Sequence, residues 1–139
     1  MELILDSSVL IAAERKRLDW VRWQETLPDE LRFITAITLA ELWRGCHRAR
    51  TGEQRQRRER FVRNIENRFP ALAFGSTEAH VHARIWAQLA DEGKSIGAHD
   101  LLIAAIALTH EYQIATLNTE EFSRVPRLKL AYLRTFLSV

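Results

Sequence analysis

The feature that most constrains the fold of this sequence is the alternation of short apolar runs with longer segments of helical periodicity. The first apolar run covers residues 3–5, and apolar residues at helical spacing follow it from Val9 onward. Strands that alternate with helices in this way form a parallel sheet whose two faces are both covered. The sequence therefore predicts an α/β fold with a central parallel sheet and helices on both faces.

The same periodicity predicts the positions of the elements. Strands are expected at residues 3–5, 32–37, 72–74, 113–117 and 129–133, with the last at an edge of the sheet. Helices are expected at residues 9–17, around Trp20 and Trp23, and at 39–49, 54–68, 77–92 and 98–110. Pro70 and Gly93 mark the ends of two of these helices. The helix at 98–110 is hydrophobic nearly all round, so it is predicted to lie centrally.

Composition limits the class of protein. The chain has 139 residues, of which 47% are hydrophobic and 27% charged, as expected for one soluble globular domain spanning residues 1–139. No apolar run approaches the roughly 20 residues that span a bilayer, and the start Met1-Glu2 is unlike a signal peptide. The single cysteine, Cys46, offers neither an intramolecular disulfide nor a metal cluster, so a cytoplasmic location is expected.

Arginines are concentrated in two places although the net charge is only +2. Eight of them lie between residues 44 and 63, and Arg15-Lys16-Arg17 form a smaller cluster. Arginine binds phosphate well because its planar guanidinium makes two parallel hydrogen bonds. Glutamates are interspersed in the longer segment, so contact with nucleic acid and a merely solvated helix face both remain open.

Acidic and amide side chains fall near the ends of the predicted strands. Asp6 follows the first strand, Glu41 lies near the start of the helix after the second, and Asp100 lies in the first turn of the apolar helix. Asn118 and Glu121 follow the strand at 113–117. Ligands of open α/β sheets bind at the carboxyl ends of the strands. We therefore predict that these five side chains converge.

Each of these residues also has a structural explanation. Asp6 is a good helix N-cap, and Glu41 completes a capping box with Thr38. Asp100 complements a helix dipole, while Asn118 and Glu121 suit a turn and an exposed first helical turn. Taken together, however, several neighbouring carboxylates repel one another unless a cation lies between them. Oxygen ligands without cysteine or histidine favour Mg²⁺ or Mn²⁺ over Zn²⁺, and such an ion supports phosphodiester hydrolysis.

Four stretches of the sequence resemble, in order and spacing, the motifs of PIN-domain ribonucleases of the VapC toxin type. They are "LDSSVLIA", "ITLAELWRG", "IGAHDLLIAAIAL" and "ATLNTEEFSRVPRLKL", and together they span nearly the whole chain. The first and third in combination are the most specific. The arginine-rich middle of the chain is the least characteristic part. The family often has aspartate at position 121, where this chain has Glu121. It often has arginine at position 117, where this chain has Leu117.

The resemblance implies a Mg²⁺-dependent endoribonuclease, with Mn²⁺ as a substitute, that leaves 5′-phosphate and 3′-hydroxyl ends. It implies that Asp6 and Asp100 bind the metal, and that Glu41, Asn118 and Glu121 complete the catalytic set. Ser8, Thr119 and Arg15 are the candidates for substrate contact. The implied partners are RNA, a small protein antitoxin that inhibits the toxin, and a second copy in a homodimer. Operator DNA would be reached only through the antitoxin, in a bacterial cytoplasm.

Three other functions compete with this prediction. A phosphoacceptor receiver domain also gathers acids at strand ends, but it needs an adjacent acidic pair where this chain has Asp6 followed by two serines. A non-catalytic PIN-like binding module would not need Asp6, Glu41 and Asp100 together. A nuclease for structured DNA or precursor ribosomal RNA would keep the same site, and the sequence leaves it open.

Overall fold

The computed structural model describes residues 2–26 and 31–137, and both ends of the predicted domain, 1–139, lie outside the described residues. The strands are β1 (Leu3–Leu5), β2 (Arg32–Thr35), β3 (Ala71–Leu72) and β4 (Gln113–Ala115). The helices are α1 (Ser7–Glu14), α2 (Trp20–Glu25), α3 (Ala36–His47), α4 (Gly52–Arg68), α5 (Ser76–Asp91), α6 (Ala98–His110) and α7 (Thr119–Phe122). A 3₁₀ helix covers Arg134–Phe136. No helix within the described ranges is both long and apolar enough to cross a bilayer.

The four strands form one parallel sheet in the order β3-β2-β1-β4. Leu3 of β1 pairs with Arg32 on one side and with Gln113 on the other. The chain therefore moves outward from β1 to β2 and β3, and then returns to the opposite side of β1 to form β4. In sheets with this order, the carboxyl ends of the two strands on either side of the reversal form a crevice that binds ligands. Here those strands are β1 and β4.

Helices cover both faces of the sheet, as predicted. Leu3 and Leu5 point to one face, where they join a buried cluster with residues of α1, α2, α3 and α4. Ile4 points to the opposite face and packs among residues of α5, α6 and α7. The alternation follows from the two-residue repeat of a strand. With apolar side chains on both sides, β1 is fixed in the middle of the molecule.

The prediction that α6 is central is confirmed, and its bounds match the structure. The helix begins at Ala98 and ends at His110, and residues 103–107 are completely buried. The short helix around Trp20 and Trp23 is also confirmed, with the two indole rings in edge contact 5.4 Å apart. At the end of α5, Gly93 has a positive φ of 69°, the conformation that glycine tolerates after a helix.

Several predicted boundaries are wrong. The expected strand at 129–133 is reduced to a single bridge between Leu130 and Ile114 beside β4. Helices α1 and α3 begin two and three residues earlier than expected, and β2 and β4 each end two residues earlier than expected. For α3 the reason is Thr35, whose hydroxyl accepts a hydrogen bond from the Thr38 N–H and so caps the helix. The short helix α7 has no counterpart in the predicted elements.

Candidate active site

Asp6 lies directly after β1, and its side chain does not cap α1. Its backbone is extended at the N-cap position, but its carboxylate makes no capping hydrogen bond. Instead, Oδ2 accepts hydrogen bonds from Ser8 Oγ at 2.8 Å and from Thr116 Oγ1 at 2.7 Å. The carboxylate is only 4% exposed. The capping explanation of Asp6 is therefore wrong, and two hydroxyl donors hold the residue in place.

The same two hydroxyls connect β1 to the loop after β4. Ser8 Oγ accepts a hydrogen bond from the Leu117 N–H at 3.0 Å, and Thr116 Oγ1 accepts one from the Asn118 N–H at 3.0 Å. Both donate to Asp6, so the loop and the carboxylate are fixed together. Ser8 thus has a role in positioning Asp6, whereas its contact with substrate stays a prediction. Thr116 was not selected from the sequence. The only feature that could have indicated it is its hydroxyl group directly after a strand.

A second group of side chains lies at the start of α6. Asp100 is the third residue of this helix. The Asn118 side-chain amide donates to Asp100 Oδ2 at 2.9 Å and to Glu121 Oε2 at 2.8 Å, so one amide holds two carboxylates. The Gly97 N–H donates to the other oxygen of Glu121, Oε1. The predicted convergence of Asp100, Asn118 and Glu121 is therefore present in the structure.

Gly97 is a second site residue that the sequence pattern did not single out. A Cβ at this position would lie 3.1 Å from Glu121 Oε1 and 3.8 Å from Asp100 Oδ2. The first distance is tighter than most Cβ contacts, so a larger residue would require the Glu121 carboxylate to move by a few tenths of an ångström. The absence of a side chain at Gly97 lets α7 bring Glu121 against the start of α6.

Glu41 lies in the second turn of α3, because that helix begins at Ala36. The capping-box explanation is wrong, since Thr35 provides the cap. Oε1 of Glu41 is buried and has no hydrogen-bond partner in the described part of the chain. Oε2 lies 3.7 Å from Nδ1 of His99, which is largely exposed. A buried carboxylate oxygen without a donor is costly unless a cation or another donor reaches it.

The electrostatics of these acids show that they are close together. Burial and repulsion by Asp6 and Glu121 raise the pKa of Asp100 to about 6, against the effect of the Asn118 hydrogen bond. Burial and repulsion by Asp6 also raise the pKa of Glu41. The hydrogen bonds from Asn118 and Gly97 lower the pKa of Glu121. A helix dipole would favour the charged form of Asp100, so burial and like charge outweigh it here.

Two candidate substrate residues lie outside this cluster. Thr119 is exposed at the first position of α7, next to Asn118. Arg15 follows the last residue of α1, nine positions after Asp6. At 1.5 Å per residue, the helix separates Arg15 from Asp6 by about 13 Å. The structure therefore places Thr119 beside the site and Arg15 at the far end of α1.

The residues present fit a divalent cation. The acids of the site offer carboxylate oxygens, Glu41 Oε1 lacks a donor, and burial together with neighbouring negative charge raises the pKa values of Asp100 and Glu41. No group of three or more acidic, histidine or cysteine side chains within residues 2–26 and 31–137 is arranged to hold a metal ion in this structure. A site with few protein ligands suits Mg²⁺, which usually keeps several of its waters.

Comparison with known proteins gives one consistent family. The PIN domain family model matches residues 3–128. A ribonuclease VapC of Rickettsia bellii is 39% identical over 130 residues, covering 94% of this chain and 95% of the relative. A tRNA(fMet)-specific endonuclease VapC of Shigella flexneri is 28% identical, covering 93% and 96%.

A solved structure supports the same assignment. DNA-bound VapBC from Salmonella typhimurium contains a chain that superposes with a TM-score of 0.84 at 25% identity, covering 94% of this chain and 97% of that one. The PIN domain match over residues 3–128 includes the segments that carry Asp6, Glu41, Asp100 and Glu121. This chain belongs to the VapC ribonuclease family of PIN-domain proteins.

Proposed function

We propose that this chain is the toxin of a toxin–antitoxin pair and cleaves RNA in a Mg²⁺-dependent hydrolysis. The observation that carries the proposal is the group of acids at the crevice between β1 and β4. Asp6, Asp100 and Glu121 are held there by hydroxyl and amide donors, and Glu41 has a buried oxygen without a donor. The similarity to a ribonuclease VapC supports RNA hydrolysis as the reaction. Clustered carboxylates with a raised pKa are typical of sites that function with a cation bound.

In this proposal, Asp6 and Asp100 hold the ion, and Glu41 and Glu121 extend the acidic pocket. Mg²⁺ or Mn²⁺, when bound, supplies Lewis-acid activation of the phosphodiester and of water. Ser8 and Thr116 fix Oδ2 of Asp6, which keeps this carboxylate from rotating. Asn118 performs the same task for Asp100 and Glu121. Hydrolysis then yields the 5′-phosphate and 3′-hydroxyl ends typical of such sites.

The proposed partners follow from the same comparisons. The similar Salmonella assembly is a VapBC complex bound to DNA, which supports an antitoxin partner for this chain and contact with operator DNA through that partner. We further propose a homodimer and a cytoplasmic location. The substrate is RNA, and since the Shigella relative is named for tRNA(fMet), transfer RNA belongs in any panel of substrates.

Cleavage with and without metal tests the proposal. Purified, antitoxin-free protein is incubated with transfer, ribosomal and messenger RNA in Mg²⁺, in Mn²⁺ and in EDTA, and the ends of the products are mapped. We expect cleavage with either metal and none in EDTA. Asp6→Asn and Asp100→Asn should abolish it, whereas Glu121→Gln should reduce it less. Equal cleavage in Mg²⁺ and EDTA, or cleavage of DNA alone, contradicts the proposal.

A further inference from the structure

A groove of about 400 Å³ begins at the candidate active site and runs along the chain that follows β4. Its inner end is formed by Thr116, which donates to Asp6, and by Thr119, which begins the helix that carries Glu121. Leu130, Leu133 and Leu137 provide apolar lining. The groove therefore adjoins the site at Thr116 and Thr119, and its lining is mostly apolar.

Two side chains of this groove are suited to a nucleotide. Tyr132 is 69% exposed, and no other aromatic ring among the described residues contacts it. Arg134 is also exposed, and no carboxylate in the described part of the chain pairs with it. An exposed aromatic ring offers a base a stacking surface, and a free guanidinium offers a phosphate two hydrogen bonds.

The size and charge of the groove favour one nucleotide over a protein segment. Its volume lies at the lower end of the range for small-molecule pockets, whereas a bound amphipathic helix needs a groove several turns long. The active-site crevice itself is acidic and repels the RNA backbone. The Arg134 guanidinium, which lines the groove, compensates for this repulsion by holding a phosphate away from the carboxylates.

We propose that this groove binds one unpaired nucleotide of the RNA next to the scissile phosphate, with its base on Tyr132 and a phosphate at Arg134. The inference rests on the proposed function for the identity of the polymer, because it assumes an RNA strand in the adjacent site. It assigns to residues 130–137 a role in choosing where the RNA is cut. An unpaired nucleotide is required because a base within a helix cannot reach the ring.

Binding measured without metal tests the groove separately from catalysis. A fluorescein-labelled single-stranded oligoribonucleotide is titrated in EDTA with wild-type protein, Tyr132→Leu, Tyr132→Phe, Arg134→Gln and Arg84→Gln. Tyr132→Leu should weaken binding about tenfold, within the range for loss of one base–aromatic stack. Tyr132→Phe keeps the ring and should bind as the wild type does. Arg84 is exposed on α5, outside this groove, so Arg84→Gln should retain more affinity than Arg134→Gln.

A substrate scan locates the nucleotide. Each base near the cleavage site is replaced in turn by an abasic position, and KM and kcat are measured in Mg²⁺. In the wild type, one abasic position next to the cut should raise KM, and Tyr132→Leu should be insensitive to that position, with kcat little changed.

The two experiments separate the possible failures. If the wild type cleaves RNA and Tyr132→Leu binds and cleaves as well as Tyr132→Phe, the groove proposal is overturned and the proposed function stands. If Tyr132→Leu weakens the binding of an antitoxin but not of RNA, the groove binds the antitoxin, and the proposal is again overturned. If the wild type does not cleave RNA but binds it through Tyr132, the proposed function fails. Binding of a nucleotide in the groove is then supported, while its placement next to a scissile phosphate is overturned.

Discussion

At Asp100, the stability of the folded protein and the proposed role as a metal ligand oppose each other. Burial and the charges of Asp6 and Glu121 raise its pKa to about 6 from a usual value of 3.8. The folded protein therefore holds a proton on Asp100 more tightly than the unfolded chain does. Protonated Asp100 therefore stabilises the folded state. This stabilisation is fully present below about pH 4 and is lost as the pH rises through about 6.

Asp100→Asn should remove this penalty. In metal-free protein at pH 7.5, we expect the free energy of unfolding to be unchanged or higher by up to about 1 kcal/mol, because water screens this half-buried carboxyl and the helix dipole loses a favourable charge. The difference should vanish near pH 4. Urea denaturation at both pH values measures it. A variant clearly less stable than the wild type at pH 7.5 would show that Asp100 has a stabilising structural role.

Thr116→Val should separate positioning of Asp6 from packing. Valine fills the same volume but removes the donor to Asp6 and leaves the Asn118 N–H without its acceptor. We expect a loss of about 1–2 kcal/mol in the free energy of unfolding and a clear loss of RNA cleavage. Thr116→Ser keeps the hydroxyl and is the matched control. If the valine and serine variants cleave equally well, the hydroxyl does not position Asp6.

The sequence could identify the acids of the site but not the residues that hold them. Asp6 and Glu121 follow from the rule that ligands lie at strand ends. Asp100, in the first turn of α6, follows from the negative charge that it would add to this cluster. Thr116 and Gly97 act through contacts with residues 110 and 24 positions away. A hydroxyl or a glycine is common in any sequence, so only the fold shows which of them touches a carboxylate.

At the scale of helices and strands, the long apolar or amphipathic segments were predicted well and the short ones poorly. Helix α6 is buried on most sides, so the two ends of its apolar segment mark the two ends of the helix. The strand predicted at 129–133 fails because only Leu130 pairs with Ile114, after which the chain turns away to form the 3₁₀ helix. Where one or two backbone hydrogen bonds determine whether a short segment forms a strand, tertiary contacts outweigh the local sequence pattern.

The helical hairpin of α3 and α4 gives a test at this scale. Arg58 Nη1 donates to the Gly45 carbonyl at 2.7 Å in a partly buried contact between the two helices. Arg58→Met keeps the aliphatic stem but loses this charged donor, so we expect a loss of about 1 kcal/mol in the free energy of unfolding. Its exposed neighbour Arg57 is the control, and Arg57→Met should change stability little. Equal urea midpoints for the two variants would contradict a structural role for Arg58.

At the scale of the molecule, the strand order explains why residues from both ends of the sequence form one site. Strand β1 lies between β2 and β4, so the residue that follows β1 meets the loop that follows β4. The alternating pattern predicted a parallel sheet, but it did not specify which strands are neighbours. That arrangement brings Asp6 to Thr116 and places α6 and α7 against the same crevice.

Because the site joins distant segments, a bound ion should stabilise the whole fold. At a Mg²⁺ concentration a hundred times the Kd, the gain is about 2.7 kcal/mol, which raises the Tm of a chain this long by roughly 5–10 °C. Metal must displace the proton of Asp100 below about pH 6, so apparent affinity should fall about tenfold per pH unit there. Thermal melts with Mg²⁺ or EDTA at pH 7.5 and 5 measure both effects, with Asp100→Asn as the control that should gain little at either pH. An equal rise in Tm for the wild type and Asp100→Asn would mean that the ion binds elsewhere, because only a site that includes Asp100 depends on its charge.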